Sequence, residues 1–289
     1  MDLKAILMGL GFVIMWSSAF TSARIIVQDA PPVAALALRF LISGCMAIII
    51  ARMMGQSWCL TRNQWRMTII FGICQNAVYL GFNFVAMQTI EASLAAIIAS
   101  TMPLLVALTG WVLYRERIGA LGIAGLFAGT VGVAIIMGTR LSGGADLYGV
   151  VLCGIGVIAL TFATLAVRGA TSGGNILMIV GIQMLVASII LPFFAFATEA
   201  WVVNWSWQLI AAFAYTTIVP GLIATWVWFL LVNRIGAVKA ATFHFLNPFF
   251  GVAIAAVLLG EKLGPLDMVG VGIIAAGILA VQMSKQTNR

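Results

Sequence analysis

The sequence predicts an all-α integral membrane protein with ten transmembrane helices, arranged as two inverted five-helix repeats. Three observations lead to this prediction. Of the 289 residues, 63% are hydrophobic and only 8% are charged, whereas a soluble domain carries about 25% charged residues. The apolar residues are gathered in runs long enough to cross a bilayer, whose hydrocarbon favours apolar side chains. The second half of the chain also repeats the pattern of the first.

The apolar runs supply the ten predicted helices. A crossing needs about 20 residues, because a helix rises by roughly 1.5 Å per residue and the hydrocarbon core is about 30 Å thick. Such runs lie at about residues 5–27, 33–53, 65–87, 91–113, 119–138, 147–167, 175–197, 208–231, 237–259 and 265–283. Transmembrane strands are not expected, because the runs are continuous and do not alternate. The first run is too long for the core of a signal peptide, so we interpret it as a retained helix.

Basic residues predict the orientation of these helices. With ten crossings both termini share one side, and placing them in the cytoplasm puts eleven basic side chains inside against three outside. The eleven are Lys4, Arg52, Arg62, Arg66, Arg115, Arg117, Arg168, Arg234, Lys239, Lys285 and Arg289, and the three are Arg24, Arg140 and Lys262. Cytoplasmic segments of membrane proteins carry such an excess. We therefore expect a multi-pass protein of the cell inner (cytoplasmic) membrane with both termini in the cytoplasm. The net charge of +7 is then a topology signal, and no nucleic-acid partner is expected.

The internal repeat appears when the chain is shifted by 145 residues. The matched pairs include Ile90 with Ile235, Pro103 with Pro248, Glu116 with Glu261, Gly119 with Gly264, Gly125 with Gly270, and Gly132 with Gly277. We divide the chain into repeats at residues 1–140 and 141–289. Each repeat holds five helices, an odd number, so the second repeat enters the membrane from the opposite side. Inverted repeats are typical of secondary transporters, because two near-equivalent halves can open a central site to either side in turn.

Several local motifs are shared with a known family. They are Trp16-Ser17-Ser18-Ala19-Phe20 in the first helix, the paired Pro103 and Pro248, and the turns Arg115-Glu116-Arg117 and Gly260-Glu261-Lys262. With them the chain resembles the drug/metabolite transporter superfamily, and within it the ten-helix EamA-type branch, over essentially its whole length. The resemblance implies export of metabolites, including amino acids, or of drugs. The substrate cavity predicted below is aromatic and poor in cations, and it looks like that of the YddG type of amino-acid exporter.

These patterns predict a secondary transporter that exports small metabolites, above all neutral or aromatic amino acids, by alternating access. Export of other metabolites or of drugs is the alternative. No Asp or Glu lies deep in a predicted helix, which disfavours an organic-cation/proton antiporter. A membrane-embedded enzyme is a more distant alternative, because it would need a cluster of acids, histidines or a metal site. We expect a small-molecule substrate and the lipid bilayer as partners, with no enzymatic activity, cofactor, metal or obligatory protein partner.

Two ionisable residues inside the predicted helices are candidates for the substrate site. Arg39 lies about two turns into the second helix. It could pair with an anion such as a substrate carboxylate, or extend its charge towards the interface. His244, the only histidine, lies about two turns into the ninth helix. It could donate a hydrogen bond to substrate or carry a proton, or it could be a neutral interior residue.

Polar and aromatic residues complete the predicted site. In the third helix, Asn76, Tyr79 and Asn83 have spacings that place them on one face of an α-helix. The full set of predicted substrate-binding residues is His244, Tyr79, Asn76, Asn83, Trp16, Ser100, Asn247 and Arg39. A cavity of this composition would suit a small amphipathic solute, since binding pockets are mostly apolar with a few polar anchors. The alternative for the aromatic residues is contact with lipid.

Pro103 and Pro248 are predicted to have a structural or gating role. A proline inside a helix cannot donate a backbone hydrogen bond, which frees the carbonyl oxygens of Ala99 and His244. These oxygens could hold a substrate ammonium group. The alternative is that both prolines only kink their helices, with the freed groups satisfied by neighbouring helices.

Overall fold

The computed structural model describes residues 2–115, 119–170, 175–235, 240 and 242–287. Six of its ten crossings are α1 Leu3–Asp29, α2 Pro32–Met53, α5 Ala120–Ser142, α6 Leu147–Ala170, α7 Ile176–Thr198 and α10 Pro265–Thr287. The other four are segmented: α3 is Arg62–Phe71, Gly72–Tyr79 and Leu80–Ala86; α4 is Ala92–Ser100 and Met102–Tyr114; α8 is Trp207–Thr216, Thr217–Ile223 and Ala224–Ile235; and α9 is Thr242–Leu246 and Asn247–Leu259. The described residues outside these helices form short connections.

The predicted fold class, an all-α membrane protein of ten helices in two inverted repeats, is confirmed. Nine of the described helices are long and apolar enough to cross a membrane, and the apolar helix Phe243–Leu259 is shorter. Residues 236–239 and 241, which precede it, lie outside the described part of the chain. Large apolar side chains cover the outside of the bundle, with Phe127 73% exposed and Val257 81% exposed. Such a surface suits lipid and would aggregate in water.

Several helices extend beyond the apolar runs that predicted them. The fifth run ends near residue 138, but α5 continues to Ser142. Its last turns are stabilised by polar groups: the hydroxyl of Thr139 donates to the carbonyl of Ile136 (2.9 Å), and Arg140 pairs with Glu91 and Asp267. Hydropathy marks only the hydrocarbon layer, so it misses helix turns that lie in the polar interface.

Glycine contacts between α5 and α10 reveal how the two halves are related. A Cβ atom at Gly125 would lie 2.7 Å from the carbonyl oxygen of Gly277, and one at Gly132 would lie 2.9 Å from that of Gly270. The repeat equates Gly125 with Gly270 and Gly132 with Gly277. Gly125 therefore contacts the repeat equivalent of Gly132, and Gly132 contacts the repeat equivalent of Gly125. This reciprocity is the mark of a two-fold axis. The helix backbones touch at these glycines, because small residues let two helices approach closely in a membrane.

Both halves depart from regular α-helix at matched positions. The α3 segment Gly72–Tyr79 and the α8 segment Thr217–Ile223 are π-helical, and they begin 145 residues apart, at the repeat offset. The α-helical segments that carry Pro103 and Pro248 also begin at matched residues, Met102 and Asn247. Each proline sits in the first turn of its segment, where its missing N–H costs least. Both helices are therefore interrupted just before these prolines.

The two ends of the bundle are held by different groups. We call the end where α1 begins the N-terminal face, and the end where α1 finishes the far face. At the far face, the Glu261 carboxylate accepts hydrogen bonds from the N–H groups of Ala92 and Ser93, at 2.8 and 2.9 Å. At the N-terminal face, the amide oxygen of Gln56 accepts from the N–H of Met178 at 3.0 Å. Both contacts join one half of the chain to the other.

Candidate functional site

A small cavity lies where the first three helices of the chain meet α8 of the second half. Its volume is about 40 Å³, and its lining comes from α1, α2, α3 and α8. The lining residues are Trp16, Ala19, Phe20, Ala23, Arg39, Tyr79, Leu80, Asn83, Phe84, Met87 and Pro220. Four of the predicted substrate-binding residues therefore meet at one place: Trp16, Arg39, Tyr79 and Asn83. We call this space the central cavity.

Among the described residues that line the central cavity, Arg39 is the only charged one. Its side chain is buried, with 5% of the residue exposed, and its Nε atom has no hydrogen-bond partner. The guanidinium carbon lies 5.1 Å from the centre of the Phe40 ring. A Cβ atom at Gly221 would lie 3.3 Å from one terminal guanidinium nitrogen. The glycine therefore makes room for the arginine beside the π-helical segment of α8.

Tyr79 and Asn83 lie one turn apart on α3 and are held against α6. The Asn83 amide donates to the carbonyl oxygen of Tyr79 at 2.8 Å, and its oxygen accepts from the Cys153 thiol at 3.5 Å. Gly156 of α6 allows this approach, because a Cβ atom there would lie 3.0 Å from the Asn83 nitrogen. Both side chains are almost fully buried. The wall of the central cavity is consequently well ordered on this side.

Asn76 does not share the face of Tyr79 and Asn83, contrary to the sequence-based expectation. Its amide nitrogen donates to the carbonyl oxygen of Gln183 in α7 at 3.1 Å, and it is absent from the cavity lining. The cause is the π-helical segment Gly72–Tyr79. A π-helix closes its hydrogen bonds at i→i+5 instead of i→i+4, so α-helical spacing misplaces the residues within it. Asn76 thus joins α3 to α7 in this structure.

His244 and Asn247 lie in a separate aromatic cluster next to the cavity. The Asn247 amide nitrogen is 2.8 Å from His244 Nδ1, so it donates and the ring proton is placed on Nε2. The His244 ring packs against Trp228 and Phe12 with centroid distances of 4.9 and 5.5 Å. Phe12 also contacts Trp16, which lines the central cavity, at 5.6 Å. The cluster of Phe12, Trp16, Trp228 and His244 therefore lies between the cavity and the N-terminal face.

Ser100 and the two prolines lie outside the cavity lining. The Ser100 hydroxyl donates to the carbonyl oxygen of Ala96 in its own helix at 2.7 Å. Pro248 follows Asn247, whose carbonyl oxygen accepts from the Ser17 hydroxyl of α1 at 3.4 Å. Gly251, one turn further on, lets α9 approach α4, because a Cβ atom there would lie 2.6 Å from Ala96 Cβ. The interruptions thus lie where α9 meets α1 and α4.

Sequence reasoning missed two residues that shape the site, Pro220 and Phe12. Pro220 lines the cavity within the π-helical segment of α8, and a Pro-Gly pair inside an apolar run was the available signal. Phe12 is 1% exposed and contacts three aromatic rings. No local signal distinguishes it from other apolar residues of α1.

A larger recess of about 800 Å³ opens on the other side of α3, towards the far face. It is lined by residues of α1, α2, α3, α6 and α7 and of their connections, and none of the predicted site residues line it. Its walls include Ile73 and Phe194, both exposed on the outside of the bundle. We place the candidate site at the smaller central cavity, because four of the predicted substrate-binding residues meet there.

The fold and the central cavity define a class, that of helical membrane transporters built from inverted repeats. The profile of the EamA-like transporter family matches residues 3–138 and 147–283. The chain therefore belongs to the EamA-like transporter family, and the sequence-based recognition of that family is confirmed. It is a multi-pass membrane transporter.

Individual relatives are distant but extend over nearly the whole chain. An uncharacterized transporter from Bacillus subtilis, YvbV, is 22% identical over 96% of this chain and 91% of its own. A probable amino-acid metabolite efflux pump from Salmonella typhimurium is 23% identical over 92% of this chain and 90% of its own. One crystal structure shares the fold with a TM-score of 0.71, at 20% identity over 98% of both chains.

Proposed function

We propose that this transporter exports small metabolites, above all neutral or aromatic amino acids, by alternating access of residues 1–140 against residues 141–289. The observation that carries the proposal is the reciprocal packing of α5 and α10 through Gly125, Gly132, Gly270 and Gly277. Halves related by a two-fold axis have two near-equivalent arrangements. An exchange between them exposes a site at their interface to one side of the membrane and then to the other.

The proposed binding site is the central cavity, with Trp16, Arg39, Tyr79 and Asn83 as the contacting residues. Its aromatic walls, with Phe20 and Phe84 beside Trp16, suit a solute that has one apolar and one polar end. A volume of about 40 Å³ admits roughly one to three water molecules. We therefore propose that this arrangement is a closed state, and that the halves separate to admit substrate.

The other predicted site residues enter the proposal as part of the moving structure. His244 belongs to the aromatic cluster that closes the path towards the N-terminal face, and Asn247 holds the His244 ring by a hydrogen bond. Pro103 and Pro248 mark the interruptions at which α4 and α9 bend as the halves exchange. Asn76 and Ser100 would reach substrate only if the opening of the cavity moved them to its wall, and this stays a prediction.

The amino-acid preference has two supports. The cavity pairs a cationic Arg39 with aromatic walls, and one relative is named as a probable amino-acid metabolite efflux pump. Export of other metabolites or of drugs is the alternative, because Phe20, Leu80 and Phe84 would also accept a purely apolar solute. We further propose that the N-terminal face is cytoplasmic, in the inner membrane, from the excess of basic residues in the segments at that face.

The test is solute flux in proteoliposomes that contain the purified chain. A panel of radiolabelled amino acids, other metabolites and cationic drugs would be assayed with and without a pH gradient, against protein-free liposomes. We expect saturable flux of neutral and aromatic amino acids. An absence of flux for every compound in the panel would overturn the proposal. Flux of drugs alone would replace the leading substrate class with the alternative.

A further inference from the structure

Arg39 is a buried cation whose counter-charge is absent from the described protein. It lies seven residues into α2 from Pro32, or about 10 Å along the helix axis. The residue is 95% buried, its Nε atom is unpartnered, and its guanidinium group faces the central cavity. A charge inside the hydrocarbon layer is unfavourable unless it has a partner. The buried Arg39 side chain therefore needs an anion as its partner.

The acids of the chain are engaged elsewhere. Seven of the eight Asp and Glu residues are described, and each has a partner other than Arg39. The pairs are Asp2 with Arg234, Asp29 with Ser206, Glu91 and Asp267 with Arg140, Asp146 with Thr89, Glu199 with Val33, and Glu261 with Ala92. The eighth, Glu116, lies outside the described residues. Among the described acids, none neutralises Arg39.

The central cavity also complements the anionic end of a zwitterion better than the cationic end. The guanidinium of Arg39 presents a planar set of donors that matches a carboxylate in a bidentate manner. No carboxylate is among the described residues that line the cavity, so an ammonium group would meet neutral groups there, such as the Trp16 ring and the Tyr79 side chain. Recognition should therefore depend much more on the anionic end of the solute than on the cationic end.

We propose that Arg39 determines specificity by pairing with the carboxylate of the solute, so that the transporter selects aromatic and apolar monocarboxylates with or without an amino group. This inference rests on the proposed function and narrows its substrate class. An amino acid and its deamino analogue should bind comparably. The decarboxylated amine should be rejected, because it would place a second cation beside Arg39.

The experiment compares four probes that differ only in their charged groups: phenylalanine, 3-phenylpropionate, phenylalanine amide and phenethylamine. Each competes against labelled phenylalanine in proteoliposomes. We expect 3-phenylpropionate to compete within a few-fold of phenylalanine, and the two probes without a carboxylate to compete at least tenfold more weakly. Equal competition by phenethylamine and 3-phenylpropionate would overturn the inference.

Variants of Arg39 test whether this residue causes the preference for a carboxylate. Arg39→Gln should abolish the preference, and Arg39→Lys should retain part of it, because the charge stays while the bidentate geometry is lost. Arg66→Gln removes a positive charge from an exposed position and serves as the matched control. Retention of the full carboxylate preference in Arg39→Gln would also overturn the inference.

A binding measurement separates this inference from the proposed function. Protection of the detergent-solubilised protein against thermal unfolding by 3-phenylpropionate requires no transport. Protection that depends on Arg39, in a protein without flux, would support the inference and contradict the proposed function. Flux without Arg39-dependent protection by the carboxylate would support the proposed function and overturn the inference. If Arg39→Gln is unfolded, Gly221→Ala, which crowds the guanidinium group, provides the second variant and should weaken protection by 3-phenylpropionate severalfold.

Discussion

The carboxylate of Glu199 accepts a hydrogen bond of 2.6 Å from the backbone N–H of Val33. Glu199 follows α7 in the second half of the chain, and Val33 lies in the first turn of α2 in the first half. The second carboxylate oxygen accepts from Ala34 at 2.9 Å. The acid therefore caps a helix of the opposite half and complements the positive end of its dipole. Any exchange that separates the halves at the far face has to break this cap.

Glu199→Gln should loosen the far face. The variant keeps one acceptor oxygen but loses the charge, and hydrogen bonds to charged groups contribute roughly 1.5–3 kcal/mol against about 1 kcal/mol for neutral ones. We expect amide hydrogen exchange in the first turn of α2 to quicken by about tenfold, measured by mass spectrometry. Glu261→Gln is the matched control, because it should loosen α4 and leave α2 unchanged. Equal exchange at α2 in wild type and Glu199→Gln would contradict the capping role.

Gly125→Ala should destabilise the packing of α5 against α10. The added methyl group would lie 2.7 Å from the carbonyl oxygen of Gly277, so the backbones must move apart. Overpacking of this kind costs about 1–3 kcal/mol, and we expect the Tm in detergent to fall by several degrees. Gly138→Ala in the same helix is the control, since a Cβ atom there meets nothing within 4 Å. A Tm loss equal in both variants would show that the helix contact is not responsible.

Trp228→Ala should open the path between the central cavity and the N-terminal face. It removes ring contacts with Phe12 at 4.7 Å and with His244 at 4.9 Å, each worth roughly 0.5–1.5 kcal/mol. In a background without the native cysteines, we expect Ser17→Cys to react with a water-soluble thiol reagent about tenfold faster. Trp226→Ala, two residues away, is the control, because no described aromatic ring pairs with Trp226 within the cluster. Unchanged labelling would remove the cluster from gating.

Asn83→Ala and Asn76→Ala should have different effects, although both asparagines lie in α3. Asn83 lines the central cavity, so its loss should raise the KM for the transported solute by severalfold. Asn76 bonds the backbone of Gln183 in α7, so its loss should lower the Tm and leave KM unchanged. Transport kinetics in proteoliposomes and thermal unfolding in detergent measure the two effects. A raised KM in Asn76→Ala alone would restore the sequence-based placement of that residue in the site.

The ion pair between Arg234 and Asp2 at the N-terminal face should weaken in acid. A hydrogen bond from Arg234 to Asp2 holds the pKa of that carboxyl below its usual value of 3.8. A carboxyl whose pKa is lowered on folding contributes stability above its unfolded pKa and loses it as the pH falls through the folded pKa. We expect a small Tm difference between wild type and Asp2→Asn at pH 6 that shrinks as the pH falls below 3.8. A difference that does not shrink in this way would mean that the carboxylate charge is not its source.

The sequence by itself determined the membrane class, the number of helices and the inverted repeat. Composition and run length decide these features, because the bilayer admits little except apolar helices of sufficient length. The shared prolines and glycines of the two halves were readable for the same reason, since each produces a local effect on a helix or on its contact surface. The buried Arg39 was also identifiable, because a charge in an apolar run is conspicuous.

The tertiary structure decided which candidates meet. The π-helical segment Gly72–Tyr79 turned Asn76 away from Tyr79. No periodicity in the sequence predicts this change from α-helix to π-helix. Packing against Trp228 and Phe12 placed His244 in an aromatic cluster beside the cavity instead of in its wall. Pro220 became part of the site only because α8 lies against α2 there. These outcomes depend on contacts between residues far apart in the chain, whereas a hydropathy pattern records only what each residue prefers as its solvent.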